Sequence, residues 1–191
     1  MPDERLAILT AAERRFLGAA RRATLATTDG AGRPRLVPAC FVLADDDEAG
    51  RPLLYSPLDA KPKRHADPRR LARVGDILAR PAVTLLVDRW EEDWSRLAWL
   101  RVHGLAELIE PDDDPRATER ATAIAALRAK YSRYCAHDLE ARPLIRITLT
   151  EAVAWGDLGP EPPTPAEPSE PPEPSISPAD HRPGRRPAEL M

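Results

Sequence analysis

The chain of 191 residues is poor in cysteine: Cys40 and Cys135 are its only two, and neither belongs to a Cys-x-x-Cys motif. A small disulfide scaffold is therefore excluded, and both thiols are expected to be free. The amino terminus lacks the apolar segment of a secretion signal, and no run of about 18 apolar residues exists. We therefore expect a cytoplasmic protein with no membrane partner.

Motifs for common nucleotide and metal sites are also missing. No Gly-x-Gly-x-x-Gly or P-loop pattern occurs, which argues against a Rossmann or P-loop nucleotide site. The four histidines show no metal-ligand spacing, so no metal site is predicted. The 28 basic and 31 acidic residues nearly balance, which argues against a nucleic-acid partner, because such proteins present an excess of positive charge.

The carboxyl-terminal segment has a composition unlike the rest. Its 33 residues from Gly159 hold 11 of the 22 prolines and no aromatic residue. Such a segment buries too little apolar surface to offset the entropy lost on ordering. We therefore predict one folded domain over residues 1–158 and a disordered Pro/Glu-rich tail over residues 159–191.

Alternating apolar residues in the body predict a protein built mainly of strands. Strands are expected at Ala23–Thr28, Pro34–Leu43, Leu53–Ser56, Val83–Asp88, Leu97–Glu110 and Pro143–Trp155. Helices are expected after a capping box at Thr10–Glu13, from Asp67-Pro68 to Ala79, and from Asp114-Pro115 toward Tyr134. Gly104 predicts a bulge or a close backbone approach.

These elements together predict an α+β protein, mainly β with α. About six antiparallel strands would close into a barrel, since closure removes exposed strand edges, with two to four flanking helices.

Positive charge is concentrated between Lys61 and Arg73, where six basic residues accompany one acid, Asp67. Lysine and arginine side chains in a loop suit the phosphate or carboxylate groups of a small ligand. The alternative is a solvated helix face, which is the usual role of a run of charges. Arg69 and Arg70 are expected to face solvent.

The order of several segments resembles a known family. The hairpin of 23–43 is followed by Leu-Leu-Tyr-Ser (53–56), Lys-Pro-Lys-Arg (61–64), Pro-Ala-Val-Thr-Leu-Leu-Val-Asp (81–88) and Leu-Arg-Val-His-Gly-Leu-Ala-Glu-Leu (100–108). Together they resemble the pyridoxamine 5′-phosphate oxidase-like split-barrel flavoproteins, an FMN-binding-like fold. More narrowly, they resemble the probable coenzyme F-420-dependent oxidoreductases, the flavin/deazaflavin oxidoreductases. The resemblance spans about residues 8–155 and implies a homodimer with cofactor sites at the subunit interface.

The resemblance also implies roles for individual residues. Its implied cofactor-binding residues are Pro38, Ala39 and Cys40 along the ring, Tyr55 and Ser56 at a strand end, Lys61, Lys63 and Arg64 at the phosphate or acidic tail, and Arg101 near the ring edge. From the residues themselves, Cys40 could instead be a small packing residue, and Arg101 could instead pair with Glu107 on the same strand. No catalytic side chain is identified.

Two departures from the family pattern narrow the expected function. The Pro/Glu-rich tail stands where pyridoxamine phosphate oxidases have a basic segment for substrate, and Lys-Pro-Lys-Arg replaces the Ser-Arg-Lys of strict FMN binders. The first argues against genuine pyridoxamine phosphate oxidation, and the second favours the deazaflavin over FMN. We therefore expect an oxidoreductase that transfers a hydride between reduced coenzyme F-420 and an unsaturated organic small-molecule substrate. The alternatives are an FMN-dependent oxidase or reductase, and a non-catalytic protein that binds a flavin, a deazaflavin or haem.

Overall fold

The structure, a computed structural model, describes residues 7–58 and 67–159. The strands of this part are β1 (Ala23–Thr28), β2 (Pro34–Ala39), β3 (Val42–Asp46), β4 (Pro52–Pro57), β5 (Ala82–Arg89), β6 (Ala98–Ile109) and β7 (Leu144–Gly156). Its helices are α1 (Ala11–Ala19), α2 (Ala72–Ala79) and α3 (Ala117–Lys130). The predicted strand over 34–43 is in fact β2 and β3, which raises the strand count above the expected six.

All seven strands form one sheet in the order β2-β1-β5-β6-β7-β4-β3, and every neighbouring pair is antiparallel. The two edge strands are therefore β2 and β3, yet only Cys40 and Phe41 separate them along the chain. Three Cα steps span at most about 11 Å, so the two edges must meet at this end. The sheet is thus an antiparallel barrel joined at one end, which confirms the predicted fold class. We call Cys40–Phe41 the seam.

Alternation along the strands divides the apolar residues between two cores. Leu25, Leu85 and Leu100 point into the barrel, where a cluster of buried residues also takes Phe41 from the seam. On the other side of β4 and β7, a second cluster packs against α3 and includes Leu127. The helix α3 covers this face, and its last turn lies at the seam. Tyr131 follows directly after the helix.

The helix boundaries match the sequence signals only in part. Thr10 and Glu13 form the predicted capping box, with each backbone N–H bound by the other side chain at 2.7 and 3.2 Å. Asp67 caps a single 3-10 turn rather than α2, which begins at Ala72. The helix predicted to run toward Tyr134 ends at Lys130, and a 3-10 turn follows over residues 132–136.

A buried carboxylate fixes α2 to the barrel. Asp76 accepts a hydrogen bond of 2.7 Å from the Thr27 hydroxyl on β1 and pairs with Arg35 on β2. Asp76 is only 7% exposed. Removing Thr27 or Arg35 would leave its buried charge poorly compensated, so these two contacts hold β1, β2 and α2 together.

Gly104 lies where β6 and β7 shift register, between His103 and Gly104, which confirms the expected bulge and close approach. A Cβ atom at Gly104 would lie 2.7 Å from Cγ2 of Ile147 and 2.7 Å from the carbonyl oxygen of Thr148. The carbonyl belongs to a paired strand, so the barrel itself must shift to admit a side chain.

We predict that Gly104→Ala lowers the free energy of unfolding by about 1–3 kcal/mol through this overpacking. Gly75→Ala is the matched control, because Gly75 lies inside α2 with no atom within 4 Å of its added Cβ, and it should gain roughly 0.5–1 kcal/mol. Urea denaturation of both variants measures the difference. Equal stabilities would contradict the close approach.

Candidate functional site

Three of the predicted cofactor-binding residues lie at or beside the seam. Pro38 is exposed on the outer surface of β2, and Ala39 turns inward to pack partly buried against the barrel core. Cys40 is partly exposed in the seam itself and contacts the second core. Residues 38–40 therefore all keep some exposed surface, and Pro38 presents the most to a ligand.

Ser56 joins the end of β4 to the seam. Its buried hydroxyl donates a hydrogen bond of 2.8 Å to the carbonyl oxygen of Cys40. Tyr55, the preceding residue, faces the opposite side, as alternation along a strand requires. Its hydroxyl donates to Oε1 of Glu119 on α3 at 2.5 Å, and burial, together with the Glu119 carboxylate, raises the pKa of Tyr55.

Arg101 lies on the outer face of the barrel, with Cζ 5.8 Å from the centre of the Trp99 ring. The alternative that it pairs with Glu107 is wrong, because Glu107 accepts from Arg146 at 2.9 Å and pairs with Arg116 at 3.0 Å. Two strands, β1 and β5, separate Arg101 from Pro38 in the sheet. Arg101 and Pro38 are therefore roughly 14 Å apart across the sheet surface, so Arg101 does not reach the seam of its own subunit.

The basic residues Lys61, Lys63 and Arg64 lie outside the described residues, and their predicted contact with a phosphate or acidic tail stays a prediction. The described chain ends two residues after Ser56, at the buried Leu58, and continues at Asp67.

Two further basic residues lie at the seam and were not identified from the sequence. Lys130 ends α3 with its Nζ 4.4 Å from the centre of the Phe41 ring and 5.7 Å from that of Tyr131. Arg21, before β1, places Cζ 5.2 Å from the centre of the Tyr131 ring. Nothing in the sequence distinguishes Lys130 from Arg128, although the Arg128 side chain pairs with Glu140 on the surface.

Tyr131 fixes the position of these groups. Its hydroxyl accepts a hydrogen bond of 3.1 Å from the Phe41 N–H and lies 2.8 and 2.9 Å from the carbonyl oxygens of Phe41 and Arg21, to which it can donate. One side chain thereby joins the seam, the start of β1 and the end of α3.

The environment of Lys130 disfavours its charged form. Its Nζ is buried and has no hydrogen-bond partner. Burial and the charge of Arg21 lower the pKa of Lys130 to about 8, and the Cys40 thiol acts weakly in the opposite direction. The aromatic rings offset only part of the lost hydration, since contact with a π face is weaker than solvation by water.

The residues at the seam therefore fit a ligand that carries negative charge. Neither Arg21 nor Lys130 makes an ion pair within residues 7–58 and 67–159, and Lys130 has three unused donors. Across these same ranges, no three His, Cys, Asp or Glu side chains gather in a way that could hold a metal ion. No helix of the described chain is long and apolar enough to cross a membrane.

Comparison with known proteins agrees with this fold. The family model for pyridoxamine 5′-phosphate oxidase matches residues 9–156. An FAD-binding protein from Mesorhizobium loti is 22% identical with a TM-score of 0.55, over 76% of this chain and 94% of that one. A conserved hypothetical protein from Mycobacterium tuberculosis is 19% identical with a TM-score of 0.55, over 86% and 98%.

A haem-binding protein from Mycobacterium smegmatis is 19% identical with a TM-score of 0.54, over 81% of this chain and 57% of that one. At these identities the three structures share the fold alone. No protein with curated annotation matches the sequence significantly.

We predict that Lys130→Met is more stable than the wild type below pH 8 and that this advantage shrinks as the pH rises toward 10.5. Below pH 8 the folded protein buries a charge that the unfolded chain hydrates. Between about 8 and 10.5 the folded state has lost that proton while the unfolded state still holds it, so the cost disappears.

Urea denaturation of both proteins at pH 7 and pH 10 measures the difference. Arg133→Met, which removes an exposed charge on the neighbouring 3-10 turn, should show no such trend. A Lys130→Met protein less stable than the wild type at pH 7 would contradict the prediction.

Proposed function

The chain belongs to the pyridoxamine 5′-phosphate oxidase family, and from that premise we propose that it is an oxidoreductase that binds a flavin-type cofactor at the seam. The observation that carries the proposal is the meeting of Pro38, Cys40 and Ser56 with two cations that lack carboxylate partners in the described chain. Such a corner suits a flat ring that bears an acidic group.

We further propose that the cofactor is coenzyme F-420. The support is the sequence that follows β4, where Lys61, Lys63 and Arg64 replace the Ser-Arg-Lys of strict FMN binders. Lysine side chains act as point charges for carboxylate and phosphate groups, and arginine adds a planar fork. When bound, this cofactor supplies the hydride that reduces an unsaturated organic substrate.

In this proposal the side chains bind and orient rather than transfer protons. Ser56 holds the carbonyl of Cys40 and so fixes the seam beneath the ring. Phe41 and Tyr131 are almost fully buried below the seam and support it from within. The Tyr55 hydroxyl is bound to Glu119, so Tyr55 contributes to the packing behind the site.

We also propose that the protein is a homodimer that pairs through the outer face of the barrel. Large apolar side chains remain exposed there: Leu36 (61%), Leu86 (37%), Leu105 (50%) and Trp155 (54%). Arg101 lies on the same face, as do acidic residues, so two copies can bring opposite charges together. A second subunit could then carry Arg101 toward the seam of the first.

A second candidate is a protein of the same fold that binds FMN, or one that binds a flavin, deazaflavin or haem without turnover. The structural relatives include proteins described as FAD-binding and as haem-binding, and one fold hosts many functions. Stoichiometric ligand binding without reduction of any acceptor would favour the non-catalytic candidate.

We predict that oxidised coenzyme F-420 binds in a fluorescence titration, more tightly than FMN. Lys61→Ala/Lys63→Ala should weaken it about a hundredfold, because two charge-assisted contacts contribute roughly 1.5 kcal/mol each. Arg69→Ala/Arg70→Ala removes the same charge from exposed positions and should change affinity little.

Tighter binding of FMN than of coenzyme F-420 would support the FMN-dependent alternative. Binding of haem alone, or of none of the three, would overturn the proposed cofactor class. An equal loss in both double variants would show that the basic segment acts only through its total charge.

We predict that Leu86→Glu converts a dimer to a monomer, since it places a charge in the centre of the proposed interface. Leu78→Glu is the matched control, because Leu78 is 70% exposed on α2, away from that face. Sedimentation equilibrium measures both masses. A wild-type monomer, or a dimer that survives Leu86→Glu, would argue against this interface.

A further inference from the structure

Three buried side-chain nitrogens lack a hydrogen-bond partner among the described residues, Nε of Arg120, Nδ1 of His137 and Nζ of Lys130. Arg120 is held by its Nη2, which donates to the carbonyl oxygens of Leu139, Glu140 and Arg142. Lys130 differs in that its ammonium, its one polar group, makes no hydrogen bond within the described chain. A buried cation with three unused donors indicates that an acceptor belongs beside it.

Arg21 lies close enough for its charge to act on Lys130. The two residues approach the same Tyr131 ring, with Cζ of Arg21 5.2 Å and Nζ of Lys130 5.7 Å from its centre. Like charges held near one another repel, and no carboxylate of the described chain neutralises them. A ligand with negative charge would relieve both the repulsion and the unused donors.

We propose that Arg21 and Lys130 form a binding site for one oxoanion group, a carboxylate or a phosphate, carried by a small ligand. Arg21 is exposed and offers a fork that can meet two oxygens of the group from the solvent side. Lys130 is a point charge on a flexible four-carbon stem, so its Nζ can leave the Phe41 ring and turn toward the anion.

The exposed groups at the site define the ligand further. The rings of Phe41 and Tyr131 are buried beside the Lys130 ammonium, whereas Arg21 is exposed and Cys40 partly exposed. A small ligand that presents its acidic group from the solvent side fits this combination. The inference rests on the proposed function, since the same two cations support it, and it names the group that they hold.

Binding should be linked to a proton. The ionisable groups whose charge acts on Lys130 are Arg21 and Cys40, and the Tyr131 ring lies beside its Nζ. An anion favours the charged ammonium, so above pH 8, where the free amine is largely neutral, the complex takes up one proton as it forms. Affinity should therefore fall by up to about tenfold between pH 7 and pH 9.

The test uses sulfate, whose charge is constant across this range, in calorimetric titrations of the full chain at pH 7 and pH 9. At pH 9, buffers of different ionisation enthalpy report the proton taken up. Lys130→Met should abolish binding and the proton uptake, and Arg21→Gln should weaken binding at least about tenfold. Arg22→Gln, which removes an adjacent exposed charge, should bind as the wild type does.

Several results would overturn the proposal: no binding of sulfate to the wild type, equal binding by Lys130→Met, or equal losses in Arg21→Gln and Arg22→Gln. A loss of binding in Lys130→Met would not be due to misfolding, because this variant is expected to be more stable than the wild type at pH 7. No sulfate binding while F-420 or FMN still binds would overturn this proposal alone. No cofactor binding while sulfate still binds would overturn the proposed function alone, so the two failures can be told apart.

A second arm identifies the source of the oxoanion. If FMN and sulfate compete, the oxoanion that the site holds is the phosphate of a cofactor. If sulfate binds equally well to the protein saturated with FMN, the group belongs to a separate acidic substrate. Repeating the titration with benzoate in place of sulfate tests the carboxylate form: binding that Lys130→Met abolishes supports the site, and equal binding by that variant contradicts it.

Discussion

The closure of the barrel depends on the hydroxyl of Tyr131 at the seam. The strands β2 and β3 are the two edges of the sheet, and the chain passes directly from one to the other through Cys40 and Phe41. The Tyr131 hydroxyl accepts from the Phe41 N–H and lies within bonding distance of two carbonyls, at Phe41 and Arg21. Without it, buried backbone groups at the point of closure would lack partners, a cost of about 1–3 kcal/mol for each.

The same arrangement explains why a lysine is buried at this place. The end of α3 must reach the seam for Tyr131 to bond there, and Lys130 is its immediate neighbour in the chain. Its Nζ consequently lies over the Phe41 ring without a hydrogen bond. A protein selected only for stability would have an apolar residue at this position, and costly local features of this kind are typical of functional sites.

The outer face and the seam give the molecule two separate surfaces. The outer face carries exposed leucines and a tryptophan. Beside the seam lie Arg21 and Lys130, which make no ion pair with the described residues. In the proposed dimer the first surface joins the subunits and the second receives the ligand. Relatives that share the fold at about 20% identity are described as binding FAD or haem. The scaffold is therefore common to all of them, and in our proposal the side chains at the seam select the ligand of this protein.

The amino-acid sequence alone determined the fold class, the family, the capping box at Thr10 and the close approach at Gly104, because periodicity, caps and glycine conformation are local properties of the chain. It also predicted that Pro38, Cys40 and Ser56 bind the cofactor, and the structure brings these three residues together. Only the tertiary structure decided that the strand over 34–43 breaks at the seam, that Tyr55 turns away toward α3, and that Arg21 and Lys130 meet. Those two residues are 109 positions apart, and nothing local marks either of them. Their proximity arises from barrel closure and helix packing, which join distant segments.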